Sequence, residues 1–286
     1  TIERLYRQYR ISKRLCGRLF NIRVITKKHR KMKTDLKDVT FMIPVRIDSI
    51  IRLENLISVV QYLSRHFDCR IMVLEADAYN NGIIKKLLGP KIEYHFIEDY
   101  DSTFYRTKYL NIMTEMSTTP FLAIWDADII ISSSQIIEAI EKLRNEKYDI
   151  ALPYDGKVLD VPISIRELFI KNCHVGELQK QHAKMDYLYK TEALCGGAIF
   201  VNAISYKKAG MENLAFYGWA SEDFERYNRW QILGYKIHKA KGASYHLFHP
   251  RGNNSKFSHH KQFMNSEASV FATRASSAEE LRERFK

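Results

Sequence analysis

Phe121-Leu-Ala-Ile-Trp-Asp-Ala-Asp128 is the stretch on which the reading of this chain turns: an apolar run that ends in two aspartates one residue apart. Side chains alternate faces along a strand, so Asp126 and Asp128 are expected to point the same way at its C-terminal edge. Two carboxylates aimed together where a sheet meets solvent repel each other unless a cation lies between them. Hard divalent ions such as Mg²⁺ or Mn²⁺ suit that arrangement, and they usually arrive with a phosphate. A solvated strand end is the ordinary alternative. A second copy, Asp99-Tyr-Asp101, has no comparable strand in front of it and reads as a loop.

The segments before it supply the context. Val39–Val45 is an apolar run of the buried-strand type, and Asp48 or Ser49 can cap a helix running to about Phe67. Cys69–Leu74 predicts a second strand, with Glu75 and Asp77 at its end. Asn81-Gly82 opens a short helix that stops near Gly89-Pro90. A third strand over Ile92–Ile97 and a helix from Phe104 to Met116 lead into the Phe121 strand. Alternating strands and helices with short connections predict an α/β fold, with a parallel sheet covered on both faces. Ligands bind such sheets at the C-terminal strand ends, where Glu75, Asp77, Asp126 and Asp128 are all expected. Neither a G-x-G-x-x-G after the first strand nor a P-loop is present, which disfavours an ordinary dinucleotide or ATPase site.

Beyond Asp128, Ser132-Ser-Ser134 caps a helix to about Lys147, and Asp149–Pro153 reads as a short strand. Residues 154–194 show no clear period. Gly196-Gly197 leads into a strand ending at Asn202, the two glycines allowing close backbone approach to a ligand. In Phe216–Trp230, Gly218 and Trp219 precede a helix opening at Ser221, which places Glu222 and Asp223 in its first turn. Exposed N–H groups and the helix dipole favour negative charge there, which keeps a carboxylate ionised as a base must be. An ordinary capping arrangement explains Ser-Glu-Asp equally well. Gly234 is the C-cap candidate. Tyr235–His238 and Ala243–His249 read as a strand pair carrying His246 and His249, two metal-ligand candidates in a chain with an Asp-x-Asp.

Composition bounds the rest. The chain has 286 residues, 45% of them hydrophobic, enough for one large core. No apolar run is long enough to span a bilayer and no secretory pattern is seen. Cys16, Cys69, Cys173 and Cys195 are scattered, without zinc-type spacing, so a reducing, cytoplasmic setting is the expectation. Residues 1–38 carry thirteen Lys and Arg against three acids, +10 of the chain's net +12. Apolar residues interleave with these charges partly at helical spacing. A basic amphipathic arm of this kind suits an anionic membrane surface, where each Lys or Arg adds about 1 kcal/mol. Nucleic acid would use the same charges, and a solvated helix packed on the body is the plainer alternative.

Taken in order, Ile43-Pro-Val-Arg46, Phe104–Asn111, Asp126-Ala-Asp128, Gly196-Gly197 and Gly218-Trp-Ala-Ser-Glu-Asp223 resemble the motifs of GT-A fold glycosyltransferases. The likeness is to β-1,4-galactosyltransferase and polypeptide GalNAc-transferase catalytic halves and to bacterial family 2 enzymes, over residues 39–252. It implies a GT-A domain there, after a basic arm over 1–38 and before a C-terminal helix and loop extension over 253–286. Pro44 and Arg46 would line a uridine and phosphate pocket, with Glu75 or Asp77 near the base or ribose. Arg106 would contact the nucleotide, Asp126 the ribose or metal shell, and Gly197 the donor. Asp128 would be the principal ligand of Mn²⁺ (or Mg²⁺). The family's Met-x-x-His stretch corresponds to His246-Leu-Phe-His249, which makes His249 a metal ligand and His246 the replacement for Met. Trp219 would cover the donor, Glu222 would hold sugar hydroxyls, and Asp223 would be the catalytic base. Two departures stand out: Trp-Gly-Gly-Glu becomes Trp-Ala-Ser-Glu, and the acidic residue after the base is Phe224.

The resemblance implies an inverting, metal-dependent transfer of a hexose or N-acetylhexosamine from a UDP-sugar to a hydroxyl of a glycan or lipid-linked acceptor. Residues 1–33 would hold the protein peripherally at the inner face of a membrane, with no nucleic acid as partner. The rival classes are a non-catalytic nucleotide-sugar sensor, a basic nucleic-acid-binding or membrane-binding protein, and a nucleotidyltransferase. The last would need a Gly-rich phosphate loop after the first strand, and Pro44–Asp48 contains no glycine.

Overall fold

The computed structural model describes residues 32–189, 193–252 and 256–285. The basic arm lies outside the described residues over 1–31, as does Cys16. Strand β1 (Thr34–Val45) begins five residues before the predicted run and takes in residues assigned to the arm by sequence. Its register against the next strand shifts between Leu36 and Thr40, an irregularity that breaks the alternation a sequence reading relies on. From Val39 to Val45 every residue is buried, as in a central strand covered on both faces.

Helix α1 (Ile50–His66) opens on Ser49, whose Oγ accepts from Arg52 N at 3.3 Å. Then come β2 (Phe67–Asp77), α2 (Ile83–Leu88), β3 (Glu93–Glu98), α3 (Arg106–Met116) and β4 (Phe121–Trp125). A two-residue strand β5 (Ile129–Ile130) precedes α4 (Ser133–Asn145), capped by Ser132, and β6 (Ile150–Leu152). The stretch without a period contains β7 (Val158–Val161), α5 (Ile163–Asn172), α6 (Val175–Lys180) and β8 (Asp186–Tyr187). The chain continues through β9 (Ala198–Asn202), α7 (Ala203–Lys208), α8 (Glu222–Ile232), β10 (Ile237–Lys239) and β11 (Ser244–Leu247). It closes with α9 (His260–Ala275), packed on α8, and α10 (Ala278–Arg284).

Among the described residues seven strands form the main sheet, in the order β10-β6-β9-β4-β1-β2-β3. All its pairings are parallel except those of β9, which runs antiparallel to β4 and β6. The α/β class expected from the sequence is therefore present. The smaller element is a four-stranded sheet, β5-β11-β7-β8, of mixed rather than purely antiparallel pairing. The predicted pairing of the two strands after Gly234 is not found: β10 joins β6 in the main sheet, and β11 lies between β5 and β7. Their connection is itself bonded to the β6–β7 segment, through Ala240 N to Leu152 O and Ser244 N to Lys157 O. It thus crosses between sheets instead of folding back as a hairpin. No helix among the described residues is long and apolar enough to cross a membrane.

Candidate active site and cation site

A cavity of about 490 Å³ opens at the C-terminal ends of β1 and β4. Pro44, Arg46, Arg106, Asp126, Asp128, Gly197, Trp219, Glu222, Asp223, His246 and His249 all line it. Glu75 and Asp77 do not. Strand β2 runs to Asp77, its last residue, and both residues are still paired with β3. Glu75 is buried and accepts a hydrogen bond from Tyr94 Oη. Arg46 lines the cavity, yet its guanidinium is already engaged. Nε donates to Ala76 O (2.8 Å), Nη1 to Asp101 O (2.6 Å) and Nη2 to Asp99 (3.1 Å). It ties together the ends of β2 and β3, and the second Asp-x-Asp is the loop it grips.

The two aspartates of the first motif do not share a strand face. β4 ends at Trp125, and Asp126 to Asp128 form a turn before β5, so strand alternation does not govern them. Asp126 N donates to Gly197 O, and its Oδ1 accepts from Arg106 Nε and Nη2 at 3.1 and 2.7 Å. Asp128 is buried and belongs to another group, with His246 and His249. One ligand atom from each lies within 4.8 Å of the others. His249 Nε2 is 3.3 Å from Asp128 Oδ2, and His246 Nε2 is 3.9 Å from Oδ1.

The other face of each imidazole is fixed. His246 Nδ1 donates to Asp160 at 3.1 Å, and His249 Nδ1 donates to Pro250 O at 2.9 Å. In the neutral ring that tautomer leaves a lone pair on each Nε2, turned towards the Asp128 carboxylate. Burial pulls the His249 pKa down, against the attraction of Asp128, so its neutral form is favoured. Burial also opposes the charge of His246, but Asp128 and Asp160 outweigh it and raise that pKa. Lone pairs and a carboxylate directed at one point, with outer partners orienting the rings, fit a divalent cation. Two imidazoles with one carboxylate suit Mn²⁺ better than Mg²⁺, which prefers oxygen ligands throughout.

The second group sits at the start of α8. Ser221 precedes it without making a side-chain cap; its Oγ donates to Glu267 on α9 instead. Asp223 Oδ1 accepts from Arg226 Nη2 at 2.5 Å, and Arg226 Nη1 donates to both Glu212 oxygens at 2.7 Å. Arg106 Nη1 reaches in from the other side, 3.7 Å from Glu222 and 3.8 Å from Asp223. Burial raises the Asp223 pKa, but Arg226 and Arg106 outweigh it and hold the carboxyl below its usual range. Glu222 is pushed up to about 8, by burial first and then by the charge of Asp223. Adjacent carboxyls thus take opposite protonation states at neutral pH, the pattern that separates a base from a hydrogen-bond donor. Glu222 Oε2 and Arg106 Nη1 are buried without a hydrogen-bond partner, two polar atoms ready for a ligand.

Gly196 and Gly218 each have a steric reason. A Cβ on Gly196 would lie 1.9 Å from Asp223 Oδ2, so the close approach there is to a side chain of this protein. Gly218, at φ +63°, leaves room for Gln262, whose Nε2 donates to Tyr217 O (2.6 Å) and Trp219 O (3.2 Å). Arg226, Glu212, Gln262 and Asp160 are the residues that sequence reading missed. Arg226 alone carried a local signal, standing three positions after Asp223 on the same helix.

No family model matches this chain, and no curated protein sequence does. Among solved structures it is similar to the catalytic domain of Drosophila β-1,4-galactosyltransferase 7 with xylobiose, at TM-score 0.45 and 14% identity over 72% of this chain. A mutant of that enzyme with manganese, UDP-Gal and xylobiose gives TM-score 0.45 and 13% identity, again over 72% of this chain. The mannosyltransferase PcManGT from Pyrobaculum calidifontis, with GDP-Man and Mn²⁺, gives TM-score 0.49 and 13% identity over 83% of this chain. The aligned part spans 65% of the length of each of those chains. At this identity the matches concern the course of the backbone and carry nothing over to individual side chains.

Proposed function

We propose that this chain is a metal-dependent, inverting glycosyltransferase that moves a hexose or N-acetylhexosamine from a UDP-sugar to a hydroxyl of a glycan or lipid-linked acceptor. One observation supports this above the rest: a single cavity is lined both by the Asp128–His246–His249 cluster and by an ionised Asp223 beside a protonated Glu222. A sensor needs the first feature only, and a nucleic-acid-binding protein needs neither.

Asp128, His246 and His249 would hold Mn²⁺, which when bound offsets the charge growing on the departing diphosphate. Asp223 would accept the proton of the acceptor hydroxyl as that oxygen bonds to the anomeric carbon and the bond to the diphosphate breaks. A single displacement of this kind inverts the anomeric centre and leaves no sugar on the enzyme. Arg226 holds Asp223 Oδ1, so the carboxylate is oriented before substrate arrives. Glu222, carrying its proton, would donate to a sugar hydroxyl, and Arg106 Nη1 would meet the donor. Trp219 would cover the donor and keep water out. The basic segment over 1–33 would add a membrane contact on the strength of its charge.

The protonation of Glu222 predicts an alkaline limb. As pH rises through about 8 it loses its proton, placing a second negative charge beside Asp223. Transfer should fall over that interval, and Glu222→Gln should abolish the fall because an amide stays a neutral donor. Rate–pH profiles of both proteins check this; an unchanged alkaline limb in Glu222→Gln contradicts it.

Gly196→Ala is a second test. Its methyl would overlap the Asp223 carboxylate, so that side chain has to leave Arg226. Transfer is expected to drop at least about tenfold while Mn²⁺ binding is retained. Activity near that of the wild type would mean the position of Asp223 is unimportant.

A further inference from the structure

His246 and His249 are three residues apart, an odd spacing that sends side chains to opposite faces of a continuous strand. Both meet Asp128 because β11 ends at Leu247 and the chain leaves the sheet before His249. The peptide groups at that departure are held from every side. Leu247 N donates to Asp128 O at 2.8 Å, and Phe248 N donates to Val161 O at 3.2 Å. The two carbonyls between the histidines, Leu247 O and Phe248 O, both accept from one group, Asn55 Nδ2, each at 3.2 Å.

Asn55 lies on α1, is 0% exposed, and does not line the cavity. Its orientation is fixed from behind. Asn55 Oδ1 accepts from Arg166 Nε at 2.7 Å, so the amide cannot turn over without losing that bond. Arg166, on α5 and also 0% exposed, is held in turn by Ile51 O (3.1 Å) and Glu54 (2.8 Å). A buried arginine is costly to keep unless its geometry is needed. Here its fork connects α1, α5 and the turn between the two histidines.

We propose that Asn55, held by Arg166, is a positioning residue for the cation site: it fixes the turn at Leu247–Phe248 that brings both imidazoles onto Asp128. The inference rests on the cation site proposed above. It concerns metal affinity, since neither residue reaches the substrate cavity, and it sets a metal-binding role on two helices outside the site.

Mn²⁺ binding to the full chain, read by the EPR signal of free Mn²⁺, tests it alongside thermal melting of the same samples. Asn55→Asp keeps the size of the side chain and the oxygen that faces Arg166, but removes the donor to both carbonyls. It should melt cooperatively and bind Mn²⁺ about ten- to a hundredfold more weakly, the usual cost of removing an orienting partner. Asn55→Ser, too short to span both carbonyls, should show the same loss, and serves if Asn55→Asp does not fold. Thr114→Val, which removes a buried hydroxyl bonded to Leu110 O on α3, should leave Mn²⁺ affinity unchanged. Wild-type affinity in the Asn55 variants, or an equal loss in Thr114→Val, overturns the positioning role alone. No Mn²⁺ binding by the wild type overturns the cation site and this inference with it.

Discussion

Asp223→Asn is expected to lower sugar transfer about 10²- to 10⁴-fold, the usual worth of a positioned general base, while the protein stays folded and still binds the donor. The amide has the shape of the carboxylate, and its oxygen can keep the bond from Arg226 Nη2. What it lacks is a place for the proton of the acceptor. In the wild type burial would neutralise this carboxyl, and the two guanidinium groups prevent it. That balance costs stability in a buried network, and catalysis is the use that explains it. Transfer rate and donor affinity, measured separately, check the prediction: a fall in rate with unchanged donor affinity is expected. A variant within tenfold of the wild-type rate would remove Asp223 from the mechanism.

Asp128→Ala is expected to weaken Mn²⁺ binding more than about a hundredfold, beyond the loss from an outer partner, and to abolish transfer. Two imidazoles remain, but the only charged member of the cluster is gone. The fold should survive, because Leu247 N is held by the backbone oxygen of Asp128 and not by its side chain. Without metal, the variant also loses the attraction of this carboxylate for His246 and for Arg52 Nη1, 3.9 Å away, so a modest fall in melting temperature is expected beside the loss of metal affinity. A residue kept only for structure would show a lower melting temperature with no change in metal affinity.

Much of the fold was legible because the strands of the parallel core are continuous apolar runs bounded by caps. Of the two cap candidates Asp48 and Ser49 it is Ser49 that caps the first helix, Ser132 caps its helix as expected, and Phe121–Trp125 is a strand. What was hidden depends on contacts distant in sequence. The two short strands after Gly234 read as a hairpin because nothing local says that one joins β6 and the other β7. Residues 154–194 lack a period because their strands are two to four residues long. Asp126 and Asp128 were expected to act together; the turn that separates them pairs Asp126 with Arg106 and leaves Asp128 to the histidines.

The cavity shows the same division. Residue types with strong chemical character, such as His246, His249 and the Glu222–Asp223 pair, were visible as candidates. Their supports were not: Asn55, Arg166 and Gln262 are ordinary polar residues until the fold places them against particular carbonyls. Glu75 and Asp77 are the opposite case, candidates that do not line the cavity. Acidic residues near the end of β2 read as ligands, but β2 extends to Asp77, and Glu75 is buried within it, accepting from Tyr94 Oη.

The most direct test is nucleotide release from a panel of UDP-sugars and GDP-mannose, with Mn²⁺ or with EDTA, comparing wild type with Asp223→Asn and Asp128→Ala. Release from one or two UDP-sugars, dependent on Mn²⁺ and lost in both variants, is the predicted result. Release that persists in EDTA, or that both variants retain, would contradict the account.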